Sequence, residues 1–308
     1  MTSLIYDCDP GHDDAIALLL ALASPELEVL GVSTVAGNGT LELTTSNAIR
    51  ILDYVGRPDV PVVAGADRPL VREQLHDTRV HGETGLDGPD LPPPSRPPEA
   101  EHAVEWMARV ISESPEPVTL VATGPLTNVA LLLAHHPESE HRLARVVPMG
   151  GAIGEGNVTP AAEFNIWTDP EAAARVFQSD LELTMVGLDV TYRALMTADH
   201  ARRLADAGRA GRLVAELYEF YSQVHRPRFG PGRAPVHDAV AMAHLLDPTL
   251  LQTRWCAVKV DTGPELSRGR TNVDRWGHTE WHPNCHVAVD VDSERFLELL
   301  VQRISRLA

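Results

Sequence analysis

Eight residues near the N-terminus, Asp7-Cys8-Asp9-Pro10-Gly11-His12-Asp13-Asp14, carry four carboxylates. They follow the apolar run Leu4-Ile5-Tyr6 and precede Ala15-Ile16-Ala17-Leu18-Leu19-Leu20-Ala21-Leu22, a stretch of strong helix formers that stops before Pro25. The order reads as strand, turn, helix. Period 2 along the strand puts Asp7 and Asp9 on one face with Cys8 opposite, Pro10-Gly11 supply a turn, and Asp13-Asp14 open the helix. Carboxylates crowded at a buried strand end raise one another's pKa unless a cation lies among them. A hard divalent ion with oxygen ligands, calcium or magnesium, answers that need. Taken singly, each aspartate has an ordinary alternative as a helix cap or a partner of the helix dipole. Four together are costly to bury uncompensated. The spacing is not that of an EF-hand, because Leu18 stands where the bidentate glutamate would be.

The elements around this cluster alternate. Leu27 to Val35 reads as a strand, Leu41 to Val55 as a helix, Val60 to Val63 as a strand, Ala100 to Ser112 as a helix and Val118 to Ala122 as a strand. A helix over Leu126 to Ala134, a strand over Ala144 to Met149, a helix over Pro170 to Phe177 and a strand over Leu183 to Gly187 continue the pattern. This predicts an α/β chain with an open, mostly parallel sheet flanked by helices, whose sites gather at the carboxyl ends of the strands. Helices dominate from Ala198 to about Leu246. Strand-like runs at Cys256 to Val260 and His286 to Val289, then a helix over Ser293 to Arg306, read as a sheet extension. Gly65 to Glu99, with Pro92-Pro93-Pro94 and Pro97-Pro98, predicts a long loop without regular structure. No repeat or linker divides residues 1–308, so one domain is expected.

The 308 residues carry 26 basic and 43 acidic side chains, a formal charge of −17. That surplus argues against binding nucleic acid or an anionic membrane surface, both of which call for lysine and arginine opposite phosphates. Lys259 is the single lysine, so a Schiff base or a phosphate-binding lysine has one candidate, and no glycine-rich loop precedes it. Three cysteines, Cys8, Cys256 and Cys285, cannot all pair internally and match no disulfide framework. The Ala15 to Ala23 stretch is too short to span a bilayer and the first residues lack a basic region, so a soluble cytoplasmic protein is expected. His282, Cys285 and His286 supply three zinc-type ligands without a fourth and read, with His12, as structural.

The segment Asp7 to Ala15 resembles the N-terminal signature of the inosine-uridine preferring nucleoside hydrolases. Further segments agree with that family in order and spacing: Val35-Ala36-Gly37-Asn38, His81-Gly82-Glu83, Thr123-Gly124-Pro125-Leu126-Thr127-Asn128, Met149-Gly150-Gly151, Ala162-Glu163-Phe164-Asn165 and Val236-His237-Asp238. The resemblance covers nearly the whole chain and implies a Rossmann-like nucleoside hydrolase fold. It implies hydrolysis of the N-glycosidic bond of ribonucleosides, with Ca2+ held by Asp9, Asp14, Asp238 and the main-chain carbonyl of Thr123. It also implies Asp9 as general base, Asp7 as its support, and Asp13, Asn38, Asn157, Glu163 and Asn165 as partners of the ribose hydroxyls. His237 would assist the leaving base, and His81, His225 and Phe229 would lie on the base side. Family members are commonly dimers or tetramers, which implies a homo-oligomer.

Two other classes compete. Asp7-Cys8-Asp9 also resembles the paired aspartates of magnesium-dependent haloacid-dehalogenase-type phosphatases. That family calls for a hydroxyl residue where Gly11 stands and for a phosphate-binding lysine well before Lys259. A catalytically inactive, calcium-dependent riboside-binding protein is the other, and the presence of Asp9 together with His237 argues against it. Tyr221, His225 and Phe229 fall at i, i+4 and i+8 on one helical face, for which core packing is the ordinary expectation.

Overall fold

A computed structural model describes residues 1–75, 78–263 and 266–307, with the backbone alone at Thr78. The strands in chain order are β1 Thr2–Cys8, β2 Leu27–Thr34, β3 Val62–Ala64, β4 Val118–Ala122, β5 Leu143–Pro148, β6 Thr184–Met185, β7 Leu195–Thr197, β8 Arg233–Pro235, β9 Leu251–Val260, β10 Thr271–Asp274 and β11 Cys285–Val291. Five of them form a parallel sheet in the order β3-β2-β1-β4-β5. Parallel bridges from Val146 to Leu183 and from Met149 to Val186 carry that sheet on to the β6 segment. β6 pairs parallel with β11, and β9 and β10 follow antiparallel. The result is a mostly parallel α/β sheet with an antiparallel edge, as the sequence predicts.

β1 shows why the centre of the sheet reads as a continuous apolar run. Leu4, Tyr6 and Cys8 point into one core with the helices His12–Leu22, Gly208–Phe229, His237–Leu246 and Ser293–Ile304. Ile5 points into the other, with the helices Ala103–Glu113, Thr127–His135 and Pro170–Phe177. A strand covered on both faces cannot alternate polar with apolar residues. The helix after β1 is likewise enclosed: every residue from His12 to Ala21 is buried.

This packing positions the site. Chain order reverses between β1 and β4, which are neighbours in the sheet but three strands apart in sequence. Such a switch point opens a crevice at the carboxyl ends of the two strands, and Asp9 and Thr123 stand there. The helices His12–Leu22 and His237–Leu246 pack on each other, and each carries carboxylates in its first turn: Asp13 and Asp14 in one, Asp238 in the other. The positive ends of helix dipoles favour that placement.

Two stretches depart from the sequence expectation. The region from Ala198 to Leu246 is interrupted by β8, which pairs antiparallel with β7. Strands of three residues, one of them ending in Pro235, are too short to show a period. Within the loop of residues 65–99, Thr78–His81 forms one helical turn, and Glu99 bridges to Val63. The prolines that mark the loop lie after that turn and leave it undisturbed.

Candidate active site

Asp7 is completely buried at the end of β1, where its Oδ1 accepts hydrogen bonds from the Ser33 hydroxyl (2.6 Å) and the Asn128 side-chain amide (2.8 Å). Asn128 also donates to the Thr34 carbonyl and accepts from the Ala66 amide. Asp7 thus ties β2, the 65–66 loop and the helix Thr127–His135 to one strand end, a supporting position. Burial pushes its carboxyl up to about 6 against those two bonds.

Asp9 lies wedged between two glycines. Its Oδ2 accepts the Asn38 main-chain N–H at 2.6 Å, and its Oδ1 is buried with no partner. A Cβ built on Gly37 would stand 2.0 Å from Oδ2, and one on Gly124 would stand 2.9 Å from Oδ1. Only glycine admits the carboxylate at either place. On the expectation that Asp9 is the general base, Gly37→Ala should lower kcat by roughly 10²-fold or more, since a displaced base costs what its removal costs. Steady-state kinetics beside a melting curve check this; normal kcat in a folded variant contradicts it.

Asp14 accepts from the Gly11 amide (3.0 Å), the Thr123 hydroxyl (2.8 Å) and the Asn38 side chain (3.3 Å). One carboxylate oxygen from each of Asp13, Asp14 and Asp238 falls within 4.8 Å of the others, all three residues being buried. Burial, then mutual repulsion, pushes Asp13 up to about 8 and raises Asp9 and Asp238 well above the carboxylate range. Such a donor set, all hard oxygen with one orphaned carboxylate oxygen beside it, fits a divalent cation. The group brings in Asp13, which the sequence reading gave to the sugar, alongside Asp14 and Asp238; Asp9 borders it through Asn38.

A cavity of about 270 Å³ opens onto this cluster, lined by Asp13, Asn38, Thr123, Asn157, Glu163, Asn165 and Asp238 together with His81, His225 and His237. Glu163 caps the short helix Phe164–Thr168 and accepts the N–H groups of Gly151, Asn165 and Ile166; burial pushes it up to about 7 in spite of them. Asn165 donates its side-chain amide to the carbonyls of Thr123 (2.6 Å) and Met149 (3.0 Å), so its Oδ1 is the atom left for a ligand. The Thr123 carbonyl, the expected ion ligand, keeps one lone pair beyond that bond.

His237 shares its Nδ1 with the Thr191 hydroxyl at 2.7 Å, and burial, followed by His225 and Arg228, holds it down to about 3. Burial likewise puts His225 at about 4 and His81 well below the ordinary histidine value. These imidazoles are neutral at pH 7. Phe229 does not line the cavity; it packs behind the wall on Tyr192 and His225, ring centroids 5.3 and 5.9 Å away.

The sequence reading missed several wall residues. Tyr221, expected as core, lines the cavity together with Asp13 while stacking on His81, ring centroids 5.6 Å apart. Tyr192 lines it too, with the Arg228 guanidinium 4.0 Å from its ring. His12 stands directly behind His81. The one available signal was the i, i+4 spacing of Tyr221 and His225, which cannot separate a core stripe from a cavity wall when one face serves as both.

The model of the inosine-uridine preferring nucleoside hydrolases matches residues 4–298. The chain belongs to that family, and is a glycosidase that hydrolyses N-glycosyl compounds. It is 50% identical over 306 residues to the pyrimidine-specific ribonucleoside hydrolase RihA of Citrobacter koseri, covering 98% of this chain and 97% of that one. Its identity to the RihA of Shewanella sp. strain ANA-3 is 52%, over 98% and 96% of the two chains. Among solved structures, a purine-preferring ribonucleoside hydrolase from Gardnerella vaginalis superposes with a TM-score of 0.93 at 34% identity, over 99% of both chains. The plant nucleoside hydrolase PpNRh1 gives 0.92 at 33%, again over 99% of both.

Proposed function

We propose that the enzyme cleaves pyrimidine ribonucleosides, uridine and cytidine, to the free base and ribose. The buried carboxylate cluster at the floor of a cavity walled by neutral histidines is the observation that carries this reading. The pyrimidine preference rests on the end-to-end similarity to relatives named for it. A calcium ion is the proposed cofactor, with Asp14, Asp238, Asp9 and the Thr123 carbonyl to hold it and Asp13 close enough to take part. When bound, such an ion supplies an acidified water and a fixed anchor for vicinal hydroxyls.

The remaining chemistry belongs to the chain. Asp9 is fixed through Oδ2, which leaves Oδ1 to take the proton of the attacking water. The sugar passes through an oxocarbenium-like state, and Asp13, Asp14 and Asp238 place negative charge where its positive charge develops. Asn38, Asn157, Glu163 and Asn165 face the ribose hydroxyls from the same wall. In this reading the Thr191 hydroxyl, 2.7 Å from His237 Nδ1, is the donor of that pair, and His237 offers Nε2–H to the departing base.

Incubation with uridine, cytidine, inosine and adenosine should release reducing sugar fastest from the two pyrimidine nucleosides. Faster release from inosine overturns the base preference, and no release from any of the four overturns the hydrolase reading. Because His237 is neutral from about pH 3 upward, His237→Asn should lower kcat without changing the shape of the pH profile between pH 5 and 8. Loss of an ionisation near 6.5 on that substitution would contradict the assignment.

A further inference from the structure

One face of the helix Gly208–Phe229 forms a wall of the cavity. Tyr221, Val224, His225 and Arg228 line it at i, i+3, i+4 and i+7, while Phe229 falls off that face and packs behind it. Depth changes along the stripe. Tyr221 is buried and stacks on His81, which lies so close to Gly11 of the carboxylate segment that a Cβ there would stand 2.5 Å from its Nδ1. At the other end the Arg228 side chain is 45% exposed. At about 1.5 Å per residue the two ends are roughly 10 Å apart, the reach of a nucleoside laid along the wall. A ribose on the carboxylate floor therefore directs its base toward Arg228.

Among the described residues that line the cavity, Arg228 is the one lysine or arginine, against the carboxylates of Asp13, Glu163 and Asp238. Its guanidinium stands 4.0 Å from the centroid of the Tyr192 ring. Tyr192 is itself a wall residue, with the His237 ring edge-on to it at 5.4 Å. A ring contact of this kind holds a cation in place without using its N–H donors. The carboxylate paired with Arg228, that of Glu155, is 3.7 Å away and 86% exposed, beyond hydrogen-bond reach and screened by solvent. Complementing the dipole at the helix C-terminus is the ordinary role for a cation here. Arg226 stands in the same last turn, off the cavity face, and meets that need.

We propose that Arg228 is a specificity-determining residue that donates a hydrogen bond to the O2 carbonyl oxygen of a pyrimidine base and stabilises the negative charge that oxygen takes as the base departs. The proposal rests on the ribonucleoside reading above. As the bond between C1′ and N1 breaks, its electron pair stays with the base and spreads onto O2 until a proton reaches N1; the water oxygen bonds C1′ and its proton goes to Asp9. A cation at O2 acts most strongly in that transition state. O2 is the carbonyl that uridine and cytidine share. The glycosidic nitrogen of a purine nucleoside has no carbonyl beside it, so the contact favours pyrimidines.

Steady-state kinetics of calcium-loaded enzyme on uridine, cytidine and 2-thiouridine test this with Arg228→Met, which keeps most of the side chain's length and none of its charge. For uridine and cytidine kcat/KM should fall roughly 10- to 100-fold, mostly in kcat. Sulfur accepts a hydrogen bond poorly, so the native preference for uridine over 2-thiouridine should shrink several-fold or more in the variant. Arg228→Lys, which keeps the charge, should recover part of the rate on uridine. An equal loss on uridine and 2-thiouridine, or no loss on uridine, in a variant with the native melting temperature overturns the proposal and leaves the hydrolase reading intact. Should Arg228→Met not fold, Arg228→Gln takes its place and the same ratio decides. Release of ribose from neither uridine nor cytidine by the unsubstituted enzyme overturns the reading on which the proposal rests, and the proposal with it.

Discussion

Asp9→Ala lowers kcat by roughly 10²- to 10⁴-fold with KM nearly unchanged, the range spanned by loss of a positioned general base. The expectation follows from how the side chain is held. One oxygen is fixed by the Asn38 N–H, the other is buried without a partner, and two glycines leave no room for a second position. At saturating calcium, Asp14, Asp238 and the Thr123 carbonyl still hold the ion that anchors the sugar, so the loss of Asp9 falls on the chemical step. Its removal leaves space but no base, and water entering that space accepts protons far less readily. Steady-state kinetics on uridine check the split. A rise in KM with kcat preserved would make Asp9 a binding residue instead.

The second large effect is on stability. Stripped of metal, the protein should lose stability as pH rises from about 6.5 through 8. The sign follows from the direction of the shifts. The folded-state pKa of Asp13 is raised by burial and then by Asp14, from 3.8 to about 8, and burial raises Asp9 and Asp238 as well. A carboxyl with a raised folded pKa contributes its stability in full below the unfolded value and loses it as pH climbs through the folded one. For Asp13 the loss is on the order of a few kcal/mol. The buried histidines act in the opposite sense below pH 6.5: with folded values near 3 to 4, they favour unfolding as the pH falls. Added calcium should flatten the alkaline-side loss, because an ion bound only to the folded state offsets the repulsion. Asp238→Asn should flatten it without metal. Melting temperatures between about pH 6.5 and 8, with and without calcium, give the slope; metal-free protein that gains stability over that range contradicts this account of the cluster.

How much of this was legible in the sequence differs between floor and wall. The floor was legible because its residues are contiguous or in short motifs: Asp7 to Asp14, the Thr123 to Asn128 segment, and the His237-Asp238 pair. Chemistry that needs carboxylates at helix starts writes them next to one another. The fold was legible for a related reason, since a doubly covered strand such as β1 and an all-buried helix such as His12–Leu22 are continuous apolar runs. The wall was not. Tyr192 and Arg228 meet through a cation–π contact between two distant segments, and Tyr221 looks like a core residue because its ring is core on one side and cavity on the other. His12 sits between two aspartates of the motif, yet its partners are His81 and the Asp87 carbonyl, about 70 positions further on, and no local spacing records that.

The most direct test of the central claim is the initial rate of ribose release from uridine by chelator-stripped enzyme, measured across a titration of free calcium. The carboxylate floor predicts no turnover without metal and a saturable recovery as calcium is added. Undiminished release from metal-free enzyme would contradict it.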